Sequence, residues 1–201
     1  MLPKKLLMIF VRNPELGKVK TRLAKTVGDK RALEIYNDLL QYTRDVSINC
    51  TSEKAVFYSH FIDDFDGWSN VVYQKFVQEG GNDLGVRMHN AFKLAFEKGY
   101  DSVVLIGSDC LELSTHDLEE AFFSLEKKDV IVGPAKDGGY YLLGMNKLYH
   151  QLFENKTWSS ENVLLDTLLD IENLNLTYQL LDTLSDVDYE QDLKEMDARN
   201  V

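Results

Sequence analysis

Residues 130–145 read VIVGPAKDGGYYLLGM. A β-branched run enters, KDGG interrupts it, and an aromatic and apolar run resumes, which predicts strand, turn, strand at 130–134 and 140–145. Asp-Gly is a strong hairpin signal, and Gly138 and Gly139 supply positive φ and close backbone approach. A hairpin turn accounts for the glycines. It does not require the acidic Asp137 in front of them. Upstream, Leu105-Ile-Gly-Ser-Asp-Cys110 leaves another strand-like run, 102–106, and again carries an aspartate, Asp109.

Outward from these two stretches the chain alternates strand and helix. Apolar runs at 6–11, 54–59 and 71–77 read as strands, the first as one buried on both faces. Helical spacing runs over 29–48, with Leu33, Tyr36, Leu39, Leu40 and Thr43 roughly on one face. Residues 84–98 read as a helix stopped by Gly99. Residues 114–127 read as a helix with Ser114 as N-cap and Asp117 three residues on. The last third is less regular: helix over 159–171, strand over 176–181, helix over 188–199. Such alternation predicts an α/β fold, with a mostly parallel sheet and helices on both faces. Neither repeat nor linker interrupts it, so residues 1–201 read as one domain.

Composition narrows the partners. Lys+Arg number 22 against 33 Asp+Glu, a net charge of -11, which argues against a nucleic-acid or anionic-membrane binder. It does not exclude a small anionic ligand held by a local cluster. Two cysteines, Cys50 and Cys110, fit a reduced cytoplasmic protein. The apolar run at 6–11 is too short for a signal-peptide core, and no stretch has the length of a membrane span.

The stretch Arg12-Asn-Pro-Glu-Leu-Gly-Lys-Val-Lys-Thr-Arg-Leu23 reads as a loop and concentrates Arg12, Lys18, Lys20 and Arg22 in an acidic protein. It follows the first strand, and ligands of open α/β sheets bind beyond the carboxyl ends of strands. Cations with free backbone N–H groups there suit a di- or triphosphate, the alternative being a solvated basic loop. Neither a Walker A loop nor G-x-G-x-x-G is present, which disfavours P-loop and NAD-type enzymes. An aspartate at position 109 suits Mg²⁺ or Mn²⁺, or simply caps a turn. Arg87, in Gln78-Glu-Gly-Gly-Asn-Asp-Leu-Gly-Val-Arg-Met88, reaches a phosphate or sugar, or lies in an ordinary strand-to-helix connection. Asp186 is either structural or metal-facing. The histidines, 60, 89, 116 and 150, have no metal-ligand spacing, and no G-x-S-x-G elbow occurs.

In order, RNPELGKVKTRL, QEGGNDLGVRM, LIGSDC, GPAKDGGYYLLG, TWSS and DVDYEQDL resemble a bacterial family of small candidate glycosyltransferases, some linked to arsenosugar biosynthesis. That family lies in the nucleotide-diphospho-sugar transferase superfamily, of GT-A type. The resemblance spans nearly the whole chain. It implies a Rossmann-like, mostly parallel sheet with an antiparallel strand near the site. It implies Arg12, Lys18, Lys20 and Arg22 on the nucleotide's phosphates, with Arg87 and Gly107 grouped beside them. It places Asp109 as a ligand of Mg²⁺ or Mn²⁺, and Asp137 as second ligand or general base. The usual D-x-D is broken here by Gly107, and Tyr189 and Glu190 replace the Thr-Pro usual in the DVDYEQDL position. The expected reaction is glycosyl transfer from a nucleotide-sugar to a small-molecule acceptor. Nucleotidyl transfer from an NTP to a phosphorylated small molecule is the alternative, and a nucleotide-binding regulator without turnover is the third. No motif encodes the base, the sugar, the acceptor or the oligomeric state.

Overall fold

The computed structural model describes residues 3–197, and side chains as far as residue 193. The first apolar run forms β1 (Lys5–Val11), and its side chains alternate between two cores. Leu6 and Met8 pack with Met88, Ala91 and Phe92 on one face. Leu7, Ile9 and Val11 pack with Leu39, Leu118 and Phe122 on the other. A period of two thus lets one strand feed both layers. Each fully buried Leu, Ile or Phe contributes roughly 1.5–3 kcal/mol over an exposed one, so this strand anchors the molecule.

The other elements are α1 (Thr21–Val27), α2 (Asp29–Ile48), β2 (Glu53–Tyr58), β3 (Tyr73–Val77), α3 (Leu84–Glu97), β4 (Ser102–Ile106), α4 (Thr115–Ser124), β5 (Val130–Pro134), β6 (Tyr140–Met145), α5 (Val163–Asn173), β7 (Tyr178–Leu180) and α6 (Glu190–Asp197). They build a seven-stranded sheet in the order β3-β2-β1-β4-β6-β5-β7. All neighbours are parallel except that β6 runs antiparallel between β4 and β5. The expected α/β fold with helices on both faces and one antiparallel strand is therefore present. The KDGG stretch makes the hairpin turn: Ala135 N–H donates to Gly139 O at 3.0 Å, and Gly138 N–H to Ala135 O at 3.1 Å. Ser114 and Asp117 form a reciprocal capping box at the start of α4.

Several boundaries differ from the sequence reading. The basic stretch is not all loop, because α1 starts at Thr21 and takes in Arg22 and Leu23. Leu23 is fully buried and draws this turn onto the core. The strand expected from 71 starts at Tyr73, and Val71 is 94% exposed. The helix expected from 159 starts at Val163, because Ser159 has φ 64 and cannot continue a right-handed helix. A short 3₁₀ turn at His150–Phe153 was not anticipated. The terminal helix expected over 188–199 appears as α6, with its last two positions outside the described residues. Among the described residues, no helix is long and apolar enough to cross a membrane.

Candidate functional site

The chain segments that leave β1 and β4, the hairpin turn after β5 and the N-terminus of α3 surround a cleft of about 640 Å³. Position at the carboxyl edge follows from the parallel topology, which delivers these loops to one side.

At one pole Asp109, Asp137 and Asp186 line the cleft. Asp109 leaves β4, and its backbone carbonyl accepts from Val187 N–H at 2.9 Å, which fastens the C-terminal segment beside it. Asp137 is held by its own turn, its Oδ1 accepting from Gly139 N–H at 2.9 Å. Burial, and after it the charges of Asp109 and Asp137, push the Asp186 carboxyl up to about 7, against the pull of the Lys20 ammonium. Three carboxylates are thus crowded, one of them desolvated. Burial, then Asp186, pushes the Cys110 thiol up to about 12, which makes Cys110 a packing residue rather than a nucleophile.

Lys20 faces this pole. Its ammonium reaches Asp109 Oδ1 at 2.8 Å and Asp188 Oδ1 at 3.4 Å, and its side chain is 5% exposed. Its backbone is left-handed, φ 46 and ψ 44, which is rare for a residue with a long side chain. Arg22 reaches Asp188 at 2.8 Å and Lys18 reaches Glu15 at 2.8 Å, both from exposed positions. Lys18 and Arg22 do not line the cleft, because the 15–18 turn closes on itself and α1 carries Arg22 outward. Of the first loop's cations, only Arg12 lines it.

The opposite wall holds Arg87. Its Nη1 donates to Gln78 Oε1 at 3.0 Å, and Gln78 is itself clamped by its amide N–H groups to Phe57 O and Val11 O at 2.8 and 3.1 Å. Gly107 lines the cleft, but its own N–H points to Tyr141 O at 3.4 Å. Trp158, Ser159 and Ser160 complete the rim. Gly85 permits this closure, since a Cβ there would lie 2.5 Å from Trp158 Nε1.

Sequence reasoning passed over three structural contributors. Gln78 carried no motif beyond its glycine neighbours. The hydroxyl of Tyr36 donates to Arg12 O at 3.1 Å and accepts from Arg12 N–H at 2.8 Å, although helical spacing marked it only as core. Asn13 is buried, and its Oδ1 accepts from Ser59 Oγ, His60 N–H and Phe61 N–H, which stitches the first loop to the end of β2. The Asn-Pro dipeptide was the only available signal.

Oxygen donors and crowded negative charge fit a hard divalent cation in kind. Among the described residues, however, no three such groups stand at ligating separation, and one oxygen of Asp109 is taken by Lys20.

Asp186 yields a pH prediction. Its folded value lies above the ordinary 3.8, so the native state binds more protons than the unfolded chain between about pH 4 and 7. Stability is therefore lost as pH rises through that window, and the penalty is complete above it. Asp186→Asn is expected to stabilise the fold at pH 8 by on the order of 2 kcal/mol, and by nothing at pH 4. Urea unfolding in chelator-treated buffer checks this, and an equal effect at both values would refute the burial argument.

The sequence matches a family model described as "Uncharacterized protein conserved in bacteria (DUF2064)" over residues 43–160. Similar solved structures include a protein of Desulfovibrio desulfuricans G20, named as a candidate nucleotide-diphospho-sugar transferase. It has 31% identity and a TM-score of 0.86, covering 94% of this chain and 84% of that one. The inositol-1-phosphate CTP transferase of T. maritima has 15% identity, a TM-score of 0.59, and coverage of 94% and 91%. The 4-diphosphocytidyl-2C-methyl-D-erythritol synthase of Anaerococcus prevotii DSM 20548 has 12% identity, a TM-score of 0.60, and coverage of 98% and 96%. At those identities the last two share the fold alone. No curated protein matches the sequence.

Proposed function

Since the chain belongs to the bacterial DUF2064 family, and a relative 31% identical is named for nucleotide-diphospho-sugar transfer, we propose that it is a nucleotide-dependent glycosyltransferase. The observation that carries this reading is the meeting of Asp109, Asp137 and Asp186 in one cleft at the carboxyl edge of the sheet. Chemistry that expels a nucleoside diphosphate needs positive charge where negative charge develops, and a base for the incoming hydroxyl.

In this reading Arg12 and Lys20 bind the donor's phosphates, Lys20 exchanging its carboxylate partners for phosphate oxygens. Asp137 accepts the proton of an acceptor hydroxyl as its oxygen attacks the anomeric carbon and the nucleoside diphosphate leaves. Asp109 and Asp137 are the residues that would hold Mg²⁺ or Mn²⁺, an ion that keeps several of its waters. When bound, the ion neutralises charge on the departing diphosphate. We place the reaction in the cytoplasm, on the ground that neither Cys50 nor Cys110 is in a disulfide.

The CTP transferase that shares the fold keeps nucleotidyl transfer as a second reading. The experiment separating them supplies nucleotide-sugars with Mn²⁺ in one series, and NTPs with sugar phosphates in the other. Glycosyl transfer is expected to release nucleoside diphosphate in the first. Pyrophosphate in the second alone would establish nucleotidyl transfer. Nucleotide binding without either product, unchanged in Asp109→Asn and Asp137→Asn, would mean a regulatory binder.

A further inference from the structure

Among the described side chains, two buried polar atoms have no hydrogen-bond partner, Arg87 Nε and Ser160 Oγ. Both residues line the same cleft. Their segments abut, because Gly85 at the start of α3 lies against the Trp158 ring two residues before Ser160. An orphaned donor inside a protein is costly, and such an atom is met by an ordered water, an ion or a bound group.

The charges say what kind of group. Arg12 lines this cleft too, and neither Arg12 nor Arg87 forms a salt bridge among the described residues. Burial, and after it the Arg12 charge, draws the Arg87 guanidinium below its ordinary value, so the two cations are near enough to repel each other. The acidic residue facing Arg87, Asp83, already caps α3 by accepting from Val86 N–H at 3.1 Å. Two guanidiniums at one wall of the cleft, away from the carboxylate pole, concentrate positive charge in a protein of net charge -11. Gln78 fixes Arg87 through Nη1 alone, which leaves the Nε edge of the planar fork to make paired bonds with an oxyanion. A hydroxyl such as Ser160 adds a third donor.

We infer that Arg87 and Ser160, beside the Arg12 that the proposed function places on the donor's phosphates, form an oxyanion subsite that takes a phosphate or carboxylate group of the second substrate, the acceptor. This rests on the transferase reading above, and it narrows the acceptor to anionic small molecules. The carboxylate pole of Asp109, Asp137 and Asp186 is unsuited to hold such a group directly, since like charges repel. The anion is therefore bound at the arginine wall, with the acceptor's hydroxyl left to reach the aspartates.

The test uses inorganic phosphate and, separately, acetate, on the full chain in a buffer free of other oxyanions, with thermal shift and calorimetric titration as readouts. A response to one of the two is expected, and which one identifies the acceptor's anionic group. The same response is expected to persist at saturating nucleotide with Mg²⁺. Arg87→Gln and Ser160→Ala are each expected to weaken it by about tenfold or more. Arg87→Lys should fall between, because it keeps the charge and loses the fork. If Arg87→Gln does not fold, the other two carry the same readout. Silence of the wild type toward both anions would overturn the inference, as would wild-type responses in both Ser160→Ala and Arg87→Lys. Competition between the anion and nucleotide would also overturn it, assigning Arg87 to the donor instead. A protein that binds the anion through Arg87 but no nucleotide would keep the subsite and remove the transferase reading, so the two failures are separable.

Discussion

Asp109→Asn and Asp137→Asn are each expected to lower turnover by a factor of roughly 10² to 10³ with the fold intact, the range seen when one preorganised electrostatic group is removed. Both side chains reach solvent at the cleft, so neither asparagine is itself a buried polar group, and the one buried charge affected is the Lys20 ammonium beside Asp109. Asparagine at 137 keeps the Oδ1 that accepts from Gly139 N–H, so the turn survives. Lys20 retains Asp188, at 3.4 Å, when Asp109 is neutralised. Steady-state rates at saturating donor, beside urea unfolding of the same preparations, make the check. Wild-type rates in both variants would displace the carboxylate pole from the chemistry altogether.

Gly138→Ala is expected to be the most destabilising single methyl in the molecule, at about 2–4 kcal/mol. The position has φ 89, where an L side chain is strained, and the added Cβ would overlap the carbonyl of Glu161. Gly138 O also accepts from Leu164 N–H at 2.9 Å, so the turn and the first turn of α5 are docked face to face. A residue forced between them displaces Asp137 and Ser160 together. Gly99→Ala is the control: φ is 80 there but nothing lies within 4 Å of a Cβ, so only backbone strain is added, about 1 kcal/mol. Urea midpoints compare the two, and faster exchange of the Leu164 amide in Gly138→Ala would locate the damage. Equal losses at 138 and 99 would show that contact with the 159–162 loop is unimportant.

Much of the sheet was legible because burial imposes a period. Residues 102–106 and 130–134 are short stretches dominated by β-branched and other apolar residues, and the chain has them as β4 and β5 with those bounds. The helix start at Ser114 was readable from a local hydrogen-bond pattern that needs no partner elsewhere. The start of α5 was not, since Ser159 to Asn162 have helix-compatible sequence and are held out of the helix by their dock on Gly138. The extent of the basic loop was misjudged for a similar reason, as burial of Leu23 decides it.

Of the site, the sequence determined which carboxylates and cations lie beyond strand ends, because the strands themselves were readable and a parallel sheet sends those ends to one edge. Which of those groups meet was decided by tertiary structure alone. Lys18 and Arg22 have the same charge as Arg12, yet a closed turn and a helical turn carry them away from the cleft. Asp186 stands 77 residues beyond Asp109 in the numbering, and the backbone bond from Val187 N–H to Asp109 O brings it to the same pole. Gln78, Arg87 and Ser160 converge through packing between separate elements. Charge and spacing are local properties of a chain, but proximity across it is settled only when hydrophobic burial has chosen the layers and their order.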